Sequence, residues 1–97
     1  MKTYRAPNDW DTIITDSNSP FRIFMADNAG QAKGSPSDAY AYGVLLVFIN
    51  STSSGSWQNL FIYVEDSNGS YTGNLYWRNS SRAIWKKVSG TDINTVV

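Results

Sequence analysis

Apolar segments alternate with polar loops along the second half of the chain. The segments cover residues 42–49, 57–64, 74–78 and 83–88, and the loops between them are rich in Gly, Ser, Thr and Asn. β-Branched and aromatic residues dominate the segments, which have the length of strands and end at turn-forming residues. The pattern predicts a mainly β fold, either a small antiparallel β-sheet or a sandwich.

The first half of the chain contains fewer regular elements. Residues 21–25 alternate between apolar and polar side chains, which predicts one strand. Upstream, Asn8 or Asp9 can cap a short helical turn over residues 10–14. The small residues of 27–38 show no period, which predicts a long loop of the kind that is often functional.

Two features of the strands indicate how they assemble. Residues 44–49 are apolar at every position, so both faces of this strand should be covered, by a second layer of the domain or by a neighbouring subunit. Asn68-Gly69 is a strong hairpin signal, so strands 57–64 and 71–78 should pair. We expect residues 10–97 to form one β-rich domain, with residues 1–9 as a lead-in or the end of a longer protein.

Composition excludes several classes of function. The 97 residues carry no net charge, which argues against a polyanionic partner held by electrostatic attraction. Cysteine and histidine are both absent, which removes thiolate sites, the commonest zinc ligand and the usual general base. We predict no metal site and no cofactor.

Glu65 and Asp66 are adjacent carboxylates at a predicted strand end. Glycosidases place two carboxyl groups on either side of one bond. Neighbouring residues of a strand point to opposite faces, so this pair does not fit such a site. We expect a solvated turn here and predict no catalytic residue.

Four short features follow one another in order over residues 42–88. They are Tyr42-Gly43 at the start of strand 44–47, Gln58 in the next strand, Tyr76-x-Arg78, and Trp85 seven positions after Arg78. In this order and spacing the chain resembles the knob domains at the tips of bacteriophage tail fibres and phage-tail-like pyocins. It departs from them in having Lys86-Lys87-Val88 where a second Trp usually follows.

The resemblance implies a homotrimeric, extracellular fibre tip of the virion, with residues 10–97 as the knob and 1–9 as the end of the fibre. The expected partner is a bacterial cell-surface glycan or an outer-membrane receptor, with no nucleic acid and no membrane insertion. The resemblance assigns structural roles to four residues: Gly43, Gln58, Arg78 and Trp85. We expect the Arg78 guanidinium either to stack on the Trp85 indole or to bond to main-chain carbonyls, and Gln58 to tether a loop backbone.

Recognition is predicted in the polar loops 27–41, 50–57 and 66–73, because loops on a rigid sheet vary without disturbing the core. The candidate ligand contacts are four aromatic residues and two amides: Tyr40, Tyr42, Trp57, Tyr71, Asn59 and Asn74. Trp77 and Trp85 are expected in the core, since aromatic side chains dominate the cores of small domains.

Other functions stay open at this point. A structural trimerisation or capping domain without its own ligand would show the same strands. A single-strand nucleic-acid binder would stack bases on Tyr, Trp and Arg of a sheet, although the zero net charge argues against it. An enzyme is the least favoured class, because no nucleophile, base and orienting group can be combined from these residues.

Overall fold

The computed structural model describes residues 2–51, 57–67 and 70–97, with the backbone alone at residues 50, 51, 57, 58, 67, 70, 71 and 73. Six strands form one sheet in which neighbours in sequence are neighbours in space. They are β1 (Thr3–Arg5), β2 (Phe21–Ala26), β3 (Gly43–Ser51), β4 (Trp57–Ser67), β5 (Ser70–Arg78) and β6 (Lys86–Ser89). The predicted mainly β fold is confirmed.

The sheet is mixed, so the prediction of a purely antiparallel arrangement is wrong. Strands β2 to β6 are antiparallel to their neighbours, whereas β1 lies parallel to β2. Parallel neighbours require a long crossover connection, which residues 6–20 provide. Residues 1–9, predicted as a lead-in, therefore contain a strand of the sheet.

A 3₁₀ helix, Trp10–Thr12, lies within this crossover. Its cap is Asp9, whose carboxylate accepts a hydrogen bond from the Asp11 N–H at 2.9 Å, so the predicted helical turn is confirmed. The helix carries the indole of Trp10 into the core, where it is fully buried. Across the described part of the chain, no helix is long and apolar enough to cross a membrane.

The inner face of the sheet is covered by this crossover and by the β2–β3 loop (residues 27–42). Its buried side chains alternate along the strands, as pleating requires. The apolar and aromatic ones are Phe24, Leu45, Val47, Phe61, Tyr63 and Tyr76. The covering layer is thus irregular chain and not the second sheet that a sandwich would have.

The outer face consists of the side chains that alternate with these. Its apolar members form three cross-strand rows: Phe21–Phe48–Leu60, Ile23–Leu46–Ile62–Trp77 and Met25–Val44–Val64–Leu75–Val88. All are half-buried or exposed, and none belongs to the buried core. The sequence predicted that both faces of the central strand are covered. Within the described residues of one copy, other segments of the chain cover only the inner face.

The predicted pairing of β4 and β5 is confirmed. Ser67 lies opposite Ser70, and the predicted turn at Asn68-Gly69 lies outside the described residues. The register shifts at a bulge between Val64 and Asp66. β4 also extends three residues beyond its predicted end, which takes Glu65 into the sheet.

Candidate functional site

The β2–β3 loop is held against the inner face by two tryptophans. The Trp10 indole N–H donates to Asn28 Oδ1 at 3.2 Å. The Trp85 indole N–H donates to the Gly34 carbonyl at 2.8 Å. Both rings also pack in or against the core. The two hydrogen bonds therefore hold the loop against the inner face of the sheet.

Glu65 holds the end of the same loop from within the sheet. Its carboxylate is buried and accepts four hydrogen bonds. The donors are Tyr40 N (3.0 Å), Thr72 Oγ1 (2.8 Å), Asn74 Nδ2 (2.8 Å) and Tyr76 Oη (3.0 Å). The carboxylate therefore joins the loop to β4 and β5, and the solvated turn predicted at this position is wrong.

The environment of Glu65 favours its charged form. Burial by itself raises the pKa of the carboxyl, but the hydrogen bonds from Tyr40, Asn74, Thr72 and Tyr76 outweigh it and bring the pKa below its ordinary value. Burial, and then the hydrogen bond to Glu65, raise the pKa of the Tyr76 hydroxyl. At neutral pH the pair is thus a carboxylate and a neutral phenol.

Gly43 begins β3 at a point where a side chain has no room. The Tyr63 hydroxyl crosses over it and donates to the Tyr40 carbonyl at 2.7 Å. A Cβ on Gly43 would collide with the Val64 carbonyl oxygen and lie 2.6 Å from the Tyr63 hydroxyl. Glycine at this position therefore allows Tyr63 to fasten the loop.

A groove of about 380 Å³ lies between the β2–β3 loop and β6. The loop lines one side and the sheet with the β5–β6 connection lines the other. The lining residues are Ser35, Pro36, Ser37, Asp38, Tyr76, Ile84, Trp85 and Lys87. The groove thus combines aromatic surface, hydroxyl groups and one side chain of each charge.

The charged groups of the groove remain accessible. Lys87 Nζ lies 3.5 Å from Asp38 Oδ2, and these side chains are 42% and 65% exposed. A surface pair of this kind contributes only about 0–1 kcal/mol. Both groups therefore keep hydrogen-bonding capacity for a ligand, beside the half-buried indole of Trp85.

Arg78 supports the groove from below. Its guanidinium carbon lies 4.7 Å from the Trp85 ring centroid and 4.1 Å from that of Phe61, which confirms the predicted stacking on Trp85. Nη1 forms a salt bridge with Asp11 Oδ1 at 2.9 Å. Burial lowers the pKa of the Arg78 guanidinium, while the carboxylate of Asp11 acts in the opposite direction. The cation is thus a structural part of the core.

A smaller cavity of about 300 Å³ lies beside β1 and includes Tyr4, Arg22 and Phe24. The Arg22 guanidinium stacks 4.4 Å from the Tyr4 centroid and donates to the Ile14 carbonyl at 2.9 Å. Because Arg22 already tethers the crossover, this cavity offers fewer free polar groups than the groove beside β6.

Three of the predicted ligand contacts lie near Glu65. The rings of Tyr40 and Tyr42 are 5.9 Å apart, and Tyr42 is 58% exposed. Asn74 donates its amide to Glu65 and belongs to the network that holds the loop. Of these three, Tyr42 is the one whose side chain is exposed to solvent.

Asn59 lies far from this group and is buried. Its amide oxygen accepts from the Thr15 N–H at 3.0 Å and also from the Thr15 hydroxyl, and its amide nitrogen donates to the Ile13 carbonyl at 2.8 Å. This is the loop-tethering role that we predicted for its neighbour Gln58. The Gln58 side chain lies outside the described residues.

The side chains of Trp57 and Tyr71 also lie outside the described residues. Their backbones pair with Ser51 in β3 and Asp66 in β4. Their roles in ligand binding stay predictions.

The charged pair of the groove was not predicted from the sequence. Asp38 and Lys87 are 49 positions apart, and nothing local connects them. One signal was present, because Trp85 and Lys87 are two residues apart at the start of a strand and such residues share a face. Nothing in the sequence around Asp11 indicates that its carboxylate pairs with Arg78.

Within the described ranges, no cluster of three His, Cys, Asp or Glu residues is placed to hold a metal ion. Comparison of the chain with protein-family models, with curated proteins and with solved structures found no match.

Proposed function

We propose that the chain is a non-catalytic receptor-binding tip of a bacteriophage or phage-tail-like fibre, which acts on the outside of the virion as a homotrimer. Its ligand is a saccharide of the bacterial surface. The observation that carries the proposal is the groove beside β6, where the indole of Trp85 adjoins the accessible carboxylate of Asp38 and the ammonium of Lys87.

The chemistry of the groove suits a sugar. A pyranose presents apolar C–H groups on one side and hydroxyl groups around its edge. An aromatic ring packs against the apolar side, a carboxylate accepts hydrogen bonds from hydroxyl groups, and an ammonium donates to their oxygens. The groove volume of about 380 Å³ falls within the range of about 300–1,000 Å³ typical of small-molecule sites.

The rigidity of the groove also supports recognition. Its loop side is held by Trp85 at Gly34 and by Glu65 at Tyr40, so the backbone that carries Asp38 is fixed on both sides. Preorganisation reduces the entropy lost on binding. The exposed Tyr42 lies on the same loop and is a second place where an aromatic ring can meet the receptor.

A structural capping domain is the second candidate, favoured by the apolar outer face of the sheet. The two functions make different demands on the surface. A receptor-binding tip depends on the groove, whereas a cap depends on contacts between chains. Substitutions confined to the groove therefore separate them.

The test is binding to an array of bacterial surface polysaccharides. We expect Lys87→Ala and Asp38→Asn each to weaken binding about tenfold or more, the loss expected for a hydrogen bond to a charged group. Lys86→Ala is the matched control, because Lys86 is the adjacent lysine of the same strand and its Nζ lies over the Trp77 ring on the outer face. It should bind like the wild type.

The proposal fails if the wild-type chain binds no polysaccharide of its host, or if both groove variants bind as tightly as the Lys86→Ala control. Loss of binding in all three variants would also contradict it, because the groove would then not be the site.

A further inference from the structure

The outer face of the sheet is an apolar surface that no described segment covers. Twelve side chains form its three cross-strand rows, and the middle row passes through Leu46 and Ile62. On the inner face the alternating residues are buried by the crossover and the β2–β3 loop. On the outer face Met25 remains 51% exposed and Val88 44% exposed, and the others are half-buried by their strand neighbours.

Among the side chains that the structure describes, charged ones lie only at the borders of this face. Arg5 lies on the edge strand β1, Asp66 lies near the β4–β5 turn, and Lys86 lies on the edge strand β6. The pairs that cross the centre, such as Leu46–Ile62, are wholly apolar. An apolar centre with polar borders is the composition of a protein interface.

The size of the face matches what a specific interface needs. Strands β2 to β6 are spaced about 4.8 Å apart, and about six residues of each, at about 3.3 Å per residue, contribute to the rows. The footprint is therefore roughly 500 Å² per copy, which equals the largest apolar patches on soluble monomers. Two such faces together bury roughly 1,000 Å² or more, the area at which specific association begins.

We propose that the outer face packs against the same face of further copies of this chain. A sheet that is apolar on both faces requires a layer on each, and the described chain supplies only one. A pleated face of aliphatic and aromatic residues is complementary in shape to another such face, as in the aligned packing of two sheets about 10 Å apart. A charge-free centre also lets identical surfaces meet about a symmetry axis without repulsion.

This inference goes beyond the proposed receptor and does not depend on it. It names the surface through which copies of the proposed homotrimer associate, whereas the proposed receptor binds in the groove at the opposite side of the sheet. Failure of glycan binding with intact assembly would contradict only the proposed function.

The first experiment measures mass by size-exclusion chromatography with light scattering. We expect the wild-type chain to form an oligomer of at least two copies, each of 10.8 kDa. Ile62→Lys places a charge at the centre of the face and should reduce the mass to one copy. Ile14→Lys is the control, since Ile14 is the same residue type, is 66% exposed and lies outside the sheet.

Circular dichroism shows whether each variant keeps its strands. If Ile62→Lys does not fold, Leu46→Thr decides, because threonine retains a high strand propensity and still places a hydroxyl at the centre of the face. A wild-type chain that stays monomeric at high micromolar concentration overturns the inference. So does a folded Ile62→Lys or Leu46→Thr that assembles like the wild type.

The second experiment uses the absence of cysteine from the chain. A single cysteine at Leu46→Cys should react with a maleimide at least about tenfold more slowly in the assembled state than after dilution to monomers, because a buried thiol is protected. Ile14→Cys should react at the same rate in both states. Equal rates for Leu46→Cys in the two states would place the interface elsewhere and overturn the inference.

Discussion

Glu65 is the carboxylate on which the position of the β2–β3 loop depends most directly, and its removal is a quantitative test of this structure. In Glu65→Ala all four donors lose their acceptor. Thr72 is exposed and can bond to water, but the Tyr76 hydroxyl is buried and the Tyr40 N–H is partly buried. Each buried donor left without a partner costs about 1–3 kcal/mol, so we expect a loss of about 4 kcal/mol.

Such a loss is a large part of the free energy of unfolding of a small domain, which is typically about 5–15 kcal/mol. The assay is urea unfolding followed by tryptophan fluorescence, at one fixed protein concentration so that association does not change the midpoint. Asp92→Asn is the control, because Asp92 is a carboxylate on the exposed C-terminal segment. Its stability should lie within about 0.5 kcal/mol of the wild type.

The pH dependence gives a second, independent measurement on the same residue. The pKa of Glu65 is lower in the folded chain than its ordinary value of 4.5, so the unfolded chain binds the proton more readily. The stabilisation is fully present above that ordinary value and is lost as the pH falls through the folded pKa. The difference in stability between the wild type and Glu65→Gln should therefore narrow on acidification below pH 4.5.

Two results would refute this account of Glu65. One is a Glu65→Ala chain whose unfolding free energy is within about 0.5 kcal/mol of the Asp92→Asn control. The other is a difference in unfolding free energy between the wild type and Glu65→Gln that stays constant or increases as the pH falls.

Three further substitutions test other parts of the fold by the same urea assay. Asn59→Ala should cost about 2–3 kcal/mol because it leaves the Ile13–Thr15 segment without its tether, and an unchanged midpoint would contradict this. Gly43→Ala should destabilise the chain by about 1–3 kcal/mol, since the added Cβ meets backbone that cannot move away; a stabilised variant would be inconsistent with the close approach. Arg78→Met should cost about 3–5 kcal/mol by leaving Asp11 without its cation, and adding Asp11→Asn should restore part of the loss, whereas simple additivity would speak against the pair.

Features that depend on neighbouring residues could be predicted from the sequence. The strand at 21–25, the β4–β5 hairpin and the helical turn after Asp9 follow from side-chain period, turn residues and capping groups, all of which act over a few positions. The stacking of Arg78 on Trp85 was predicted from a recurring spacing and is confirmed. Local patterns specify such elements because the backbone restricts each residue to few conformations.

The candidate site could be predicted only in part. Tyr42 was predicted as a ligand contact; its side chain is exposed, and its role in binding stays a prediction. Asn59 was expected to contact a ligand, but its amide is used inside the fold. The difference arises because a polar residue on a strand points inward or outward according to the register, which a single sequence does not show.

By itself, the sequence determined that this chain is mainly β, where most strands lie, and that both faces of its central strands are apolar. Only the tertiary structure decided that β1 runs parallel to β2, that Glu65 is a buried acceptor, and that Asp38 meets Lys87 beside Trp85. These contacts join residues far apart in the chain, and they form because the crossover and the β2–β3 loop both lie on the inner face. That shared side leaves the outer face apolar and uncovered among the described residues, and so makes it the surface on which further copies are expected to pack.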